Sequence, residues 1–368
     1  MKSIRSRTVH LVGAQETNHP WAFEIRLMKA MTRMGIPFIS TDYRKQHSGI
    51  RRYLAQEADL VLVCKGESIP AEVIDSLPFT TALWYAEQIG TKDRFDDLAL
   101  KRRAELEVNL RAFDYTFSHD QGSLPLFREM NARNPHWLSC AAVDPDVNHK
   151  CSCPKEFDLV FIGSKTPRRL KILEFLSSKG YRVYSPNVWD PVQMNEIFNK
   201  SRIVLNIHLS DLPNTETRIA EVLGAGSFLL SEKISSPDLL EDGAHYASWT
   251  SSDLYGLTER IDFYLANDSE RERIAAIGYH HFHQNHTVEK RLQQLFKHID
   301  FDTHKKIWPS YGLGIPFSTD GKPTLRVDAF YEAVSKSLKD KRIVNVQGSY
   351  KRCTRKSDVA RDPIITSR

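Results

Sequence analysis

Ser201-Arg-Ile-Val-Leu-Asn-Ile-His-Leu-Ser-Asp-Leu-Pro-Asn-Thr-Glu-Thr-Arg-Ile-Ala-Glu-Val-Leu-Gly-Ala-Gly-Ser-Phe-Leu-Leu-Ser-Glu232 reads as a buried strand, a polar loop, a short amphipathic helix and a second buried strand. The first strand covers 203–207, and Asn206 and His208 place polar groups at its carboxyl end, where open α/β sheets gather ligands. Asn214 or Thr215 can cap the following helix, which carries Thr217, Arg218 and Glu221 and stops at Gly224-Ala-Gly226. A helix start offers free N–H donors and the positive end of a dipole, which suits a phosphate. Thr217 and Glu221 lie four apart on one face, with Arg218 beside them. Such a helix suits a nucleotide, with the diphosphate at its start and the ribose hydroxyls at the carboxylate one turn deeper. The same spacing also fits an ordinary surface pair between Arg218 and Glu221, worth only a few tenths of a kcal/mol.

Working outward, the N-terminal half alternates strands and helices, which predicts a parallel sheet covered on both faces. Strands are expected at 8–14, 36–39, 58–64, 80–84 and 115–117, with helices at 21–34 and 97–110. The polar stretch 142–155 holds two prolines and no periodicity, and we place the linker there. A second α/β unit follows, with strands at 158–162, 181–184, 203–207, 227–230 and 245–249 and helices over 253–266 and 269–298. This gives an N-terminal Rossmann-like domain over 1–145, a second over 156–298, and an extension over 299–368. In the extension, 308–316 reads as a turn-rich loop, 326–339 as a helix able to cross back onto the first domain, and 349–368 as a polar, basic, frayed tail.

A chain of 368 residues exceeds the usual single core, so two domains are the natural expectation. With 41% hydrophobic and 26% charged residues the composition is that of a soluble globular protein, and a formal charge of +5 does not demand a nucleic-acid partner. The basic start is followed by an apolar stretch too short for a signal peptide, and no apolar run approaches a membrane span. Five cysteines form no regular framework, which points to a reducing, cytoplasmic compartment. Cys151-Ser-Cys153 is a lone C-x-C without a second pair at metal spacing, so free thiols are expected rather than a zinc site.

Taken together, Phe161-Ile-Gly-Ser164 with Arg168-Arg169, Thr217-Arg-Ile-Ala-Glu-Val-Leu-Gly-Ala-Gly226, Phe228-Leu-Leu-Ser-Glu232, Leu239-Leu-Glu-Asp-Gly243, Tyr264-Leu265, Arg271-Glu-Arg-Ile-Ala-Ala-Ile-Gly278, His286-Thr287 and Arg291-Leu292 carry a resemblance. The segment 157–296 resembles the donor-binding domain of GT-B glycosyltransferases, and more narrowly the spore-maturation-type (CgeB-like) group. The resemblance implies two Rossmann-like domains facing across a cleft. Its implied activity is metal-independent transfer of a sugar from a nucleoside-diphosphate sugar, the co-substrate, to a hydroxyl acceptor: a glycan, a small molecule or a modified nucleic acid. No further cofactor is expected.

On that resemblance, Gly163 and Ser164 form a turn for close backbone approach, Arg168 or Arg169 supplies a cation against the leaving diphosphate, and Arg218 supplies another. Two arginines at a helix start oppose its dipole, which invites a functional reason. Asn206, His208 and Thr217 complete the donor side, and Glu221 matches the glutamate that bonds the donor ribose. Seven residues before it the broad family carries a second acid; here that position is Asn214, with Glu216 out of register. Glu87, His119 and Asp120, after later strands of the first domain, are the catalytic candidates, one of them deprotonating the acceptor in an inverting reaction. Gln15, Glu16 and His19 are acceptor-side candidates, His19 also fitting a plain loop histidine. Competing readings are a non-catalytic sugar-nucleotide-binding module, motivated by Asn214, a glycosyltransferase acting on modified DNA, and a nucleotide-sugar epimerase.

Overall fold

The computed structural model describes residues 4–301. The loop, crossing helix and tail expected at 308–316, 326–339 and 349–368 lie outside the described residues.

The first half runs β1 (Val9–Gly13), α1 (Phe23–Met34), β2 (Phe38–Asp42), α2 (Ile50–Leu54), β3 (Leu60–Cys64), α3 (Ala71–Asp75), β4 (Thr80–Tyr85), α4 (Asp97–Glu107), β5 (Tyr115–Ser118), α5 (Leu124–Glu129) and β6 (Pro135–Trp137). Its strands pair in the order β2-β1-β3-β4-β5-β6, every pairing parallel. The Leu-Val-Leu-Val-Cys of β3 is buried throughout, because a central parallel strand is covered on both faces. Helix α1 turns Leu27, Ala30 and Met31 inward and ends at Gly35, whose φ of 68° closes the last turn onto the Met31 and Thr32 carbonyls.

The second half runs β7 (Phe157–Val160), α6 (Pro167–Ser178), β8 (Val183–Tyr184), α7 (Pro191–Asn199), β9 (Ser201–Asn206), α8 (Thr217–Gly224), β10 (Leu229–Glu232), β11 (Ala247–Trp249), α9 (Leu254–Ala266), α10 (Asp268–Asn285) and α11 (Val288–His298). Its order is β11-β10-β9-β7-β8, again all parallel. Both sheets reverse direction of winding once, between β1 and β3 and between β7 and β9. A crevice opens beyond the strand ends at such points.

Three differences from the sequence reading matter. Helix α7 was not expected; Asp190 caps it, accepting from the Val192 and Gln193 N–H groups at 3.0 and 2.9 Å, with Pro191 in the first turn. The single helix expected over 269–298 is two, broken at His286-Thr287, where Thr287 caps α11. Helix α11 then leaves the second sheet and packs on α1, with Val288, Leu292 and Leu295 fully buried among Leu27, Met31, Leu60 and Trp84. Each such side chain stabilises the first core by about 1.5–3 kcal/mol. Helix α11 thus crosses back onto the first sheet.

The chain passes between the sheets twice, and the crossings are bonded to each other. Val143 N–H donates to the His286 carbonyl at 2.9 Å, and Val288 N–H to the Val143 carbonyl at 3.0 Å. Arg33 of α1 adds ion pairs to Asp144 and to Glu289. The linker also lies on the end of α8: a Cβ on Gly224 would stand 2.8 Å from Asn148 Cβ and from a Val143 methyl. Only glycine permits that approach.

Candidate functional site

The strand ends of the two sheets enclose a cavity of about 310 Å³. From the second half it is lined by Phe161–Ser164 after β7, Arg169 of α6, Trp189 before α7, Asn206 at the end of β9, and the 209–218 loop and first turn of α8. From the first half come Trp21, Ala86–Gln88 after β4, Asp96, Leu98, Ala99 and Arg102 at α4, and His119 after β5. The volume is at the lower end of what holds a small ligand.

Arg169 fastens the floor. Its Nε donates to the Ile207 carbonyl at 2.9 Å, its Nη1 to the Ser164 carbonyl at 3.2 Å and Oγ at 3.0 Å, and its guanidinium lies over the Phe161 ring. Burial pulls its pKa below the usual guanidinium value, partly offset by Glu216 at 3.6 Å. Gly163 is held tight here, since a Cβ would meet Phe161 at 3.1 Å and Arg169 at 3.3 Å.

Helix α8 starts at Thr217, with Glu216 at the capping position but making no side-chain cap. The dipole of this end faces the cavity through Thr217 and Arg218. Arg218 lies over the Phe198 ring, donates to Met194 Sδ and stands 2.9 Å from Glu221 Oε2. Glu216 lines the cavity. Burial would raise its carboxyl pKa, but His208, Arg169 and Arg218 hold it below the usual range.

His119 is 3% exposed, lines the cavity, and neither ring nitrogen has a hydrogen-bond partner. Burial pushes its pKa down, against the opposing charges of Asp120 and Glu87, so the neutral ring prevails at neutral pH. Glu87 also lines the cavity and is paired with Lys65 at 3.0 Å and with Arg102.

Of the expected donor residues, Gly163, Ser164, Arg169, Asn206, Thr217 and Arg218 come together at the cavity, and so do Glu87 and His119 of the catalytic candidates. The others do not line it. Arg168 points away, clamped by Glu232, Asp211 and the His208 carbonyl, because adjacent helix residues face about 100° apart. His208 is buried behind the loop, bonding the Lys233 carbonyl at 2.9 Å; burial would lower its pKa, but Glu216 and Glu232 raise it. Asp120 is consumed by a turn, its Oδ2 accepting from Ser123 N–H and Oγ, both at 2.8 Å. Gln15 is buried outside the cavity, Glu16 pairs with Lys45 on the surface, and His19 is exposed. Glu221 is 4% exposed beneath the cleft, held by Arg218 and by Arg26 of α1. Burial would raise its pKa; Arg218 and Arg26 outweigh that and lower it.

Sequence reasoning missed Arg102, Trp21, Trp189 and Glu216 as lining residues, along with Arg26. Glu216 could have been found: an acid directly before Thr217 sits at the mouth of the helix start. The two tryptophans carried only the weak signal of large aromatics in polar loops; they meet across the cleft with ring centroids 6.1 Å apart.

Residues 159–297 match the model of the glycosyl transferase-like family. None of the curated proteins matches the chain. Among solved structures, an alpha-glucosyltransferase in complex with UDP and a 13-mer DNA containing an HMU base is similar with a TM-score of 0.59 at 12% identity, over 80% of this chain and 99% of that one. HepE from Anabaena in complex with UDP and glucose is similar with a TM-score of 0.58 at 13% identity, over 79% and 98%. Sucrose-phosphate synthase from Thermosynechococcus elongatus gives 0.58 at 10% identity, over 79% and 98%.

Proposed function

We propose that this chain, a GT-B-fold protein with a glycosyltransferase-like domain over 159–297, transfers a sugar from a nucleoside-diphosphate sugar to a hydroxyl acceptor. The observation that carries this reading is the cavity itself. It gathers a tight glycine turn, two arginines and a helix start on one wall, and an unpartnered neutral histidine on the other.

In this reading the diphosphate lies between Gly163-Ser164 and the first turn of α8. Arg169 holds that turn in place and supplies charge, while Arg218 and the helix dipole stabilise the negative charge that grows on the leaving phosphate. These groups supply what a divalent cation supplies elsewhere, and the transfer is read as metal-independent. Asn206 supports the floor, its Nδ2 donating to Ser231 Oγ at 3.0 Å. Glu221 receives the ribose hydroxyls.

His119 faces the reacting sugar from the opposite wall. Its neutral imidazole can accept the acceptor's hydroxyl proton or hold a sugar hydroxyl, and Glu87 sits beside it, fixed by Lys65 and Arg102. Asp120 positions the turn that carries His119 rather than touching substrate.

Two of these similar structures hold UDP, and one of them also holds a DNA containing an HMU base, so UDP-sugars are the first donors and such DNA one of the acceptors to test. No helix among the described residues is long and apolar enough to cross a membrane. The four described cysteines are free, which supports a reducing setting such as the cytoplasm. The test is calorimetric titration with UDP and UDP-glucose, followed by transfer assays with and without EDTA. Binding and chelator-resistant transfer support the reading; absence of any nucleotide binding sinks it. Release of free sugar or an isomerised donor without acceptor would favour the epimerase alternative.

A further inference from the structure

Glu221 is twice neutralised. Arg218, on its own helix, already stands 2.9 Å from Oε2. A second guanidinium, from Arg26, reaches across from α1 of the opposite sheet, 195 positions earlier, and donates to Oε1. Arg26 is 7% exposed, and its Nη1 has no hydrogen-bond partner. A buried cation with an unfilled donor is an incomplete arrangement, because an unpaired buried polar group carries a desolvation cost.

The same stretch of the first domain makes another contact over this wall. Trp21, five residues before Arg26, meets Trp189 at the mouth of the cavity, and both rings stay more than a third exposed. Trp189 lies two residues before α7, and α7 supplies Met194 and Phe198 to Arg218. Trp21, Arg26, Glu221, Arg218 and Trp189 therefore form one continuous neighbourhood beside the diphosphate wall.

We propose that Arg26 occupies the place of the donor's ribose diol at Glu221, so that a nucleoside diphosphate enters by displacing it. This rests on the assignment of Glu221 to the ribose above. Arg26 donates to Glu221 through one nitrogen, Nη2 to Oε1, and a carboxylate oxygen that accepts from a guanidinium N–H accepts equally from a ribose hydroxyl. Entry of the nucleoside breaks the Arg26–Glu221 contact and frees the first domain's hold on α8, coupling donor binding to the spacing of the two sheets. The observed dissociation constant is then the intrinsic one divided by the fraction of molecules in which Arg26 is away.

The experiment measures UDP and inorganic pyrophosphate affinity by calorimetry for the full chain and for Arg26→Ala, Arg26→Gln, Glu221→Gln and the Arg26→Ala/Glu221→Gln pair. Thermal unfolding checks that each variant is folded. Both Arg26 variants should bind UDP at least tenfold more tightly, about 1.4 kcal/mol. Pyrophosphate, which has no ribose, should change less than twofold, and Arg26→Ala should add nothing once Glu221 is Gln. UDP binding that is unchanged or weaker in folded Arg26 variants overturns the inference, as does an equal gain for pyrophosphate. If UDP binds the wild type and weakens in Glu221→Gln while Arg26 variants gain nothing, the donor site stands and only the competition fails. If neither UDP nor pyrophosphate binds any variant, the proposed function fails with it.

Discussion

Arg169 offers the sharpest test of the donor wall. Its fork joins three pieces that are separate in sequence: the Ser164 turn, the Ile207 carbonyl after β9, and Glu216 at the start of α8. Arg169→Lys keeps the charge but replaces a planar fork of three nitrogens with a single one, which cannot reach all three of these separated sites at once. Each charge-assisted hydrogen bond lost is worth roughly 1.5–3 kcal/mol. We expect Arg169→Lys to weaken UDP binding about tenfold, through a displaced turn. Arg169→Met, which removes the charge as well, should weaken it by roughly 3 kcal/mol, or more than a hundredfold. Calorimetric titration reads both, with urea unfolding to confirm the fold. The order of the two variants carries the reasoning: equal affinities for Lys and Met would show that the fork, not the charge, acts on the donor. Wild-type affinity in folded Arg169→Met would refute the phosphate role outright.

Three further outcomes follow from the geometry. His119→Ala should lower kcat by about 10²- to 10⁴-fold while leaving UDP affinity within about threefold, and the wild-type kcat should hold below pH 6.5 because burial keeps the ring neutral there. His10, fully buried in β1, has its pKa lowered to about 4, so the unfolded chain takes up a proton first as pH falls. Stability from this residue is complete above pH 6.5 and should decline by up to about 3 kcal/mol towards pH 4 in urea titrations, a slope that His10→Gln should reduce. Leu292→Ala on α11 should cost about 2–5 kcal/mol, whereas Gln293→Ala on its outer face should stay within about 0.5 kcal/mol.

The strands were legible because buried parallel strands are written as unbroken apolar runs, such as Leu60 to Cys64 and Ile203 to Leu205. The break at His286-Thr287 was not, since neither residue is a helix breaker; only the capping threonine hinted at it, and the move of α11 to the other sheet depends on contacts with α1 far earlier in the chain. At the site, residues next to strand ends were readable: Gly163, Ser164, Asn206 and Thr217 sit where topology sends ligands. Choosing between Arg168 and Arg169 needed the fold, because Glu232 and Asp211 claim one and the cavity the other. Asp120 looked catalytic because an acid beside a histidine carries that suggestion, but Ser123, three residues later in the turn, takes one of its oxygens. Arg26 could not be read at all, because its partner lies in the other half of the sequence.

The return of α11 to α1 has a practical corollary for anyone dissecting the chain. Cutting between Asp144 and Phe157 yields a front fragment whose core has lost the cover of Val288, Leu292 and Leu295, and a rear fragment trailing a helix whose apolar face has nothing to cover it. Either piece expressed alone should be sticky. A rear fragment ending near Asn285, co-expressed with a front fragment to which 288–299 has been grafted, should behave far better in solution.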